Sequence, residues 1–114
     1  MRLSSVPPVT TSLIATTEII LHIAPVSKGW RADAPHNVVF FPATLTKQVL
    51  LLQIALLRPS ILIVADHTID ADVIDQWRTS HPFGELYLVR RGTSLDKVHL
   101  DLCHSNNIRV VNTP

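Results

Sequence analysis

The residues whose types and spacing best suit chemistry are Arg90-Arg91-Gly92-Thr93-Ser94, where two cations meet a flexible turn. Set ahead of a helix, whose first N–H groups carry partial positive charge, such a corner suits a carboxylate or a phosphate. The competing reading is a glycine turn with two solvated arginines. Asp66-His67 is the second candidate, a carboxylate beside an imidazole that titrates near neutrality. With Arg90 it would support acid–base chemistry that needs no nucleotide. Its alternative is loop filling and helix capping.

Several chemistries are excluded. Gly29, Gly84 and Gly92 are the only glycines, so neither G-x-G-x-x-G nor G-x-x-x-x-G-K-[ST] can be written anywhere in the 114 residues. No cofactor is expected to bind this chain. Cys103 is the sole cysteine, and no two histidines stand four apart, so no disulfide and no metal site is expected. Ten basic and nine acidic residues leave a net charge of +1 with no basic block longer than Arg90-Arg91, which argues against a nucleic-acid partner. No apolar stretch is long enough to span a membrane. A single cysteine fits a reducing cytoplasm.

Buried strands alternate with helix-period segments and must position these candidates. Residues 1 to 16, with Pro7-Pro8 and many hydroxyls, read as a flexible leader, and the domain runs from 17 to 114. Strands are predicted over Glu18–Ile23, Val38–Phe41, Ile61–Ala65, Leu86–Val89 and Ile108–Val111. The second, apolar on both faces, reads as an internal strand. A loop with Gly29, Asp33 and Pro35 separates the first two.

Helices are predicted from Thr46 to about Leu57, from an Asp70 cap to about Thr79, and from Leu95 to Ser105, where Asn106-Asn107 supplies a left-handed stop. In the second helix Val73, Ile74 and Trp77 point inward while Asp72, Asp75 and Arg78 stay wet. In the third, Leu95, Val98, Leu102 and Cys103 form the inward stripe, which makes Cys103 a core residue. The first is apolar on more than one face. It is either buried in its own domain or the contact surface of a homodimer or partner chain. The order implies a flavodoxin-like α/β fold, a parallel sheet of about five strands with helices on both faces. In such sheets ligands bind beyond the carboxyl ends of the strands. These ends are Pro25–Lys28, Pro42–Thr44, Asp66–Thr68, Arg90–Ser94 and Asn112–Pro114.

From Leu86 onward the chain reads LYLVRRGTSLDKVHLDLCHSNNIRVVNTP. This resembles the D-isomer-specific 2-hydroxyacid dehydrogenase segment in which a strand leads into R-x-G-x-G-x-D-x-I-D, then a helix, then a strand ending in V-x-N-T-P. Arg90, Gly92, Asp96, Val98, Ile108, Val110, Asn112, Thr113 and Pro114 fall in register. Ile61 to Trp77 resembles the preceding strand and helix, and residues 1 to 58 agree in element order only. The resemblance implies that backbone amides at Gly92, Thr93 and Ser94 hold a substrate carboxylate. It also implies a nucleotide-binding domain beyond Pro114, carrying the glycine fingerprint and the catalytic arginine, glutamate and histidine, so the 114 residues alone are expected not to be a working dehydrogenase. Standing alone, they would be a dimeric ligand-binding or scaffold module of that fold. Three positions depart from the pattern. Ser94 replaces the second glycine, and would be strained if that place needs positive φ. Ala65-Asp66 replaces a polar pair, and His99 replaces the acidic residue that ends the motif.

Overall fold

The computed structural model describes residues 18–23, 37–92 and 94–113. The expected leader, the domain start at residue 17, the loop with Gly29, Asp33 and Pro35, and Thr93 lie outside the described residues. Eight elements follow in order: β1 Ile20–His22, β2 Val38–Phe40, α1 Lys47–Leu57, β3 Ile61–Val64, α2 Ala71–Ser80, β4 Leu86–Arg91, α3 Leu100–Ser105 and β5 Ile108–Thr113. All pairings are parallel, in the order β2-β1-β3-β4-β5. This is the expected flavodoxin-like fold, a five-stranded parallel sheet flanked by helices. No helix among the described residues is long and apolar enough to cross a membrane.

Strand periodicity builds the core. Leu62 and Val64 of β3, and Leu86 and Leu88 of β4, alternate onto one face and are fully buried. Val73, Ile74 and Trp77 of α2 are buried as their spacing predicts, as are Leu50 and Ile54, four residues apart on α1. The Trp77 indole donates to the Pro59 carbonyl at 2.6 Å, tying α2 to the approach to β3. Both predicted caps form. The Thr46 hydroxyl accepts from the Val49 amide at 3.3 Å, and the Asp70 carboxylate from the Val73 amide at 3.2 Å. Arg58, left-handed at φ 50°, closes α1 by donating its amide to Ile54. Asn107 has φ 57°, the left-handed stop expected after α3.

Three expectations are corrected. First, β2 is an edge strand with every residue half-buried, not an internal one. A short apolar run reads the same in both places.

Second, the helix expected from Leu95 begins at Leu100. Val98 satisfies its inward spacing differently, through a one-residue parallel bridge with Ile69. In it the Ile69 amide donates to Lys97 at 2.8 Å and the His99 amide to Ile69 at 3.0 Å. His99 then caps α3, its Nδ1 accepting from the Leu102 amide at 3.4 Å, so the imidazole fills the acceptor role usual for an acidic cap.

Third, Arg78 is half-buried and donates to three carbonyls, those of Asn106 at 3.0 Å, His81 at 2.9 Å and Gly84 at 2.7 Å. It joins the end of α2 to the turn before β4 and to the end of α3. Gly84 in that turn has φ +83°, which favours glycine.

Trp77→Phe leaves the buried Pro59 carbonyl without its donor, and should cost about 1–3 kcal/mol of unfolding free energy. Urea denaturation should show a lower midpoint with an unchanged slope.

Candidate functional site

The site begins with alternation along β4. Leu86 and Leu88 are turned into the core, so the next residue on that face is Arg90, which is only 5 % exposed. Arg90 and Arg91 are therefore the last two residues of the strand, not a turn. Arg90 pairs with Val64 and Asn112, and Arg91 with Thr113. Arg91 alternates outward.

A guanidinium so placed needs acceptors. Its Nη1 donates to the His67 carbonyl at 3.2 Å and its Nη2 to Asp66 Oδ1 at 3.3 Å, whereas Nε is buried with no partner among the described residues. Both bonds are longer than the about 2.7–2.9 Å usual where a charged donor is engaged. The other Asp66 oxygen accepts from Lys97 Nζ at 3.0 Å. Lys97, and to a lesser degree Arg90, holds the Asp66 carboxyl below the usual carboxylate range. The Asp66 side chain itself is 80 % exposed.

His67 faces elsewhere. The Ala65 amide donates to its Nδ1 at 3.3 Å, and its Nε2 lies 2.8 Å from the Ala43 carbonyl. A ring that accepts at Nδ1 and donates at Nε2 is neutral, its tautomer assigned by these partners. Desolvation lowers its pKa, the Ala43 carbonyl opposes that shift, and Arg90 adds to it. With both nitrogens engaged, His67 offers no base for acid–base chemistry. Its ring instead lines a cleft of about 420 Å³ shared with Leu45, Lys47, Leu50 and Asp70.

The Gly92 corner also differs from expectation. Because α3 starts at Leu100, no helix N-terminus stands behind Gly92–Ser94. Gly92 has φ +135°, and its amide donates to the Thr113 carbonyl at 2.7 Å, so this amide is committed to the sheet. A Cβ there would meet nothing within 4 Å, so any penalty for substitution is the backbone's alone. The Ser94 hydroxyl accepts from the Asp96 amide at 3.2 Å.

Asp66, His67 and Arg90 are thus brought together with Lys97, which sequence reasoning missed because it placed Lys97 inside a helix. Gly92 and Asn112 close the corner through a 3.4 Å contact. The cluster carries two cations, Arg90 and Lys97, against one carboxylate, Asp66. Cys103 is buried in the core, and burial pushes its thiol up to about 11, so it is no nucleophile. Among the described residues no group of His, Cys, Asp and Glu forms a metal site.

No family model matches the chain, and no curated protein does. Solved structures do match. A 3-phosphoglycerate dehydrogenase of Entamoeba histolytica with bound NAD+ is similar at TM-score 0.68 and 22 % identity, over 86 % of this chain and 33 % of its own. A pyruvate reductase of Chlamydomonas reinhardtii is similar at 0.64 and 19 %, over 86 % and 29 %. An apo D-mandelate dehydrogenase of Rhodotorula graminis is similar at 0.51 and 15 %, over 83 % and 30 %. Likeness at these identities establishes the fold, and this chain spans about a third of the length of those proteins.

The folded state prefers neutral His67, whereas the unfolded chain protonates near pH 6.5. Below that value the unfolded state binds more protons, so stability should fall as pH drops from about 6.5 toward the lower folded value. His67→Gln should lose less stability than the wild type between pH 7.5 and 5.5, compared by urea midpoints. Equal losses in the two proteins would contradict a neutral His67 in the folded state.

Proposed function

We propose that this chain is a substrate-domain module of the D-2-hydroxyacid dehydrogenase type that binds a small carboxylate or phosphate at the end of β4. The ligand would lie against Arg90, Arg91, Gly92, Thr93 and Ser94, with Asp66 and His67 setting the position of the guanidinium. The observation that carries this reading is Arg90, 5 % exposed with a bare Nε and two long hydrogen bonds. The fold and the register of Arg90, Gly92, Asp96 and Asn112-Thr113-Pro114 with the family segment support it. The Gly92 amide, already bonded to Thr113, shifts the weight of anion binding from the backbone to the arginine.

In this reading the 114 residues supply ligand binding and no hydride chemistry, since neither glycine fingerprint can be written in them. A lone, buried thiol is in keeping with a reducing cytoplasm.

A second reading concerns α1, the expected dimer surface. Val49, Leu52 and Leu56 follow one stripe of that helix and are 38, 54 and 66 % exposed. The stripe is uncharged, with Lys47, Asp70 and Asp72 joined at one end and Arg58 at the other. An antiparallel pairing with a second copy would bring Arg58 toward the partner's acidic end, the self-complementarity that a two-fold contact requires.

Glycolate and inorganic phosphate should raise the melting temperature of the wild type, and Arg90→Gln should abolish that rise. No rise with either ligand contradicts the reading. The isolated chain should show no NAD(H)-dependent hydride transfer with 2-hydroxy or 2-keto acids, and a rate above the protein-free background would overturn that part. Sedimentation should show a dimer at high micromolar concentration that Leu52→Glu dissociates, and a monomeric wild type removes the second reading.

A further inference from the structure

The two nitrogens that matter on Arg90 lie on the same edge of the guanidinium. Nε–H and Nη2–H both point away from Cδ and form the side-on fork that takes a carboxylate or phosphate through two parallel bonds. In this structure the fork is half used. Asp66 Oδ1 takes Nη2 alone at 3.3 Å, Asp66 Oδ2 is given to Lys97 at 3.0 Å, and Nε is left buried without a partner among the described residues. One carboxylate thus spans a cation at the end of β4 and another in the loop that follows, and leaves the fork half filled.

We propose that Asp66 is the resident occupant of an oxyanion site made by Arg90 and Lys97, and that a carboxylate or phosphate ligand binds by displacing it and taking the Nε and Nη2 edge side-on. The proposal rests on reading this corner as an anion site, and adds how the site is kept when empty. The geometry favours exchange over simple addition. Arg90 is almost completely buried, and a buried charge that loses its partner is costly, so the guanidinium must keep an oxyanion at all times. Asp66 is the opposite case. With its side chain 80 % exposed, its carboxylate regains full hydration when released. An untethered oxyanion is free of the loop geometry that holds Asp66 to one nitrogen, so it can engage both. The departure of Asp66 from the family pattern thereby becomes a device. It sets a threshold that only an anion strong enough to replace a carboxylate will pass, and it excludes neutral polar ligands, which leave Arg90 unpaired.

Binding of inorganic phosphate and of glycolate, measured by calorimetry on the full chain, tests the exchange. Asp66→Asn should bind about tenfold tighter than the wild type. Asp96→Asn, which removes the same charge from the same exposed corner without touching Arg90, should change affinity far less. If Asp66→Asn binds no tighter than a wild type that does bind, the exchange is wrong while the anion site stands. If Asp96→Asn tightens binding as much as Asp66→Asn, the effect is general charge and the exchange is again wrong. If no variant binds either anion, the site itself falls and takes the exchange with it. In the wild type, phosphate should also move the Asp66 carboxyl 13C titration up toward an ordinary carboxyl value. An Asp66 titration unmoved at saturation overturns the displacement even if the variants fail to fold.

Discussion

Leu86, Leu88 and Arg90 occupy one face of a strand, and the first two are wholly out of water. The third is a permanent cation almost as deeply placed, and a buried charge persists only where oxygen atoms surround it. That need organises the C-terminal edge of the sheet. The loop after β3 turns so that the His67 carbonyl and the Asp66 carboxylate reach the guanidinium. The same turn aims the His67 ring at Ala43 in the loop after β2, and Lys97 approaches Asp66 from beyond β4. Gly92 and Thr113 join β4 to β5 at the same level. Four strand ends are thereby tied into one ridge around a single side chain.

The ridge explains why the Gly92 corner departs from a helix-based anion site. Because β4 runs on to Arg91 and α3 begins only at Leu100, residues 94–99 form a loop closed by Ser94, Asp96 and the Ile69–Val98 bridge. Positive charge here comes from side chains, in contrast to helix N–H groups, and it is partly neutralised by Asp66. His99 accordingly serves a helix that starts five residues later than its apolar spacing suggests.

Much of this was legible in the chain. Thr46 and Asp70 are capping residues placed just before apolar-periodic runs, and both cap as their chemistry dictates. Val73, Ile74 and Trp77 announce the buried face of α2. Other features escaped because two structures share one pattern. Val98 stands at helical spacing from Leu95 and Leu102, yet a single β-bridge buries it equally well. Val38-Val39-Phe40-Phe41 is apolar whether central or at an edge. Arg90-Arg91-Gly92 reads as a polar turn, and only the two-residue period carried forward from Leu86 and Leu88 would have placed Arg90 inside. Arg78 lay on the polar side of its helix by periodicity, and its three carbonyl partners come from segments distant in sequence or beyond the helix end. Lys97 became visible only when the start of α3 was known.

The central claim is that the buried edge of Arg90 receives an oxyanion. Its most direct test is the Arg90 Nε–H resonance, assigned by 15N NMR and followed while inorganic phosphate is added at constant ionic strength. The account predicts a saturable downfield proton shift and slowed solvent exchange as Nε gains its missing acceptor. A resonance unchanged at saturating phosphate, while exposed lysine or arginine signals move, would contradict it.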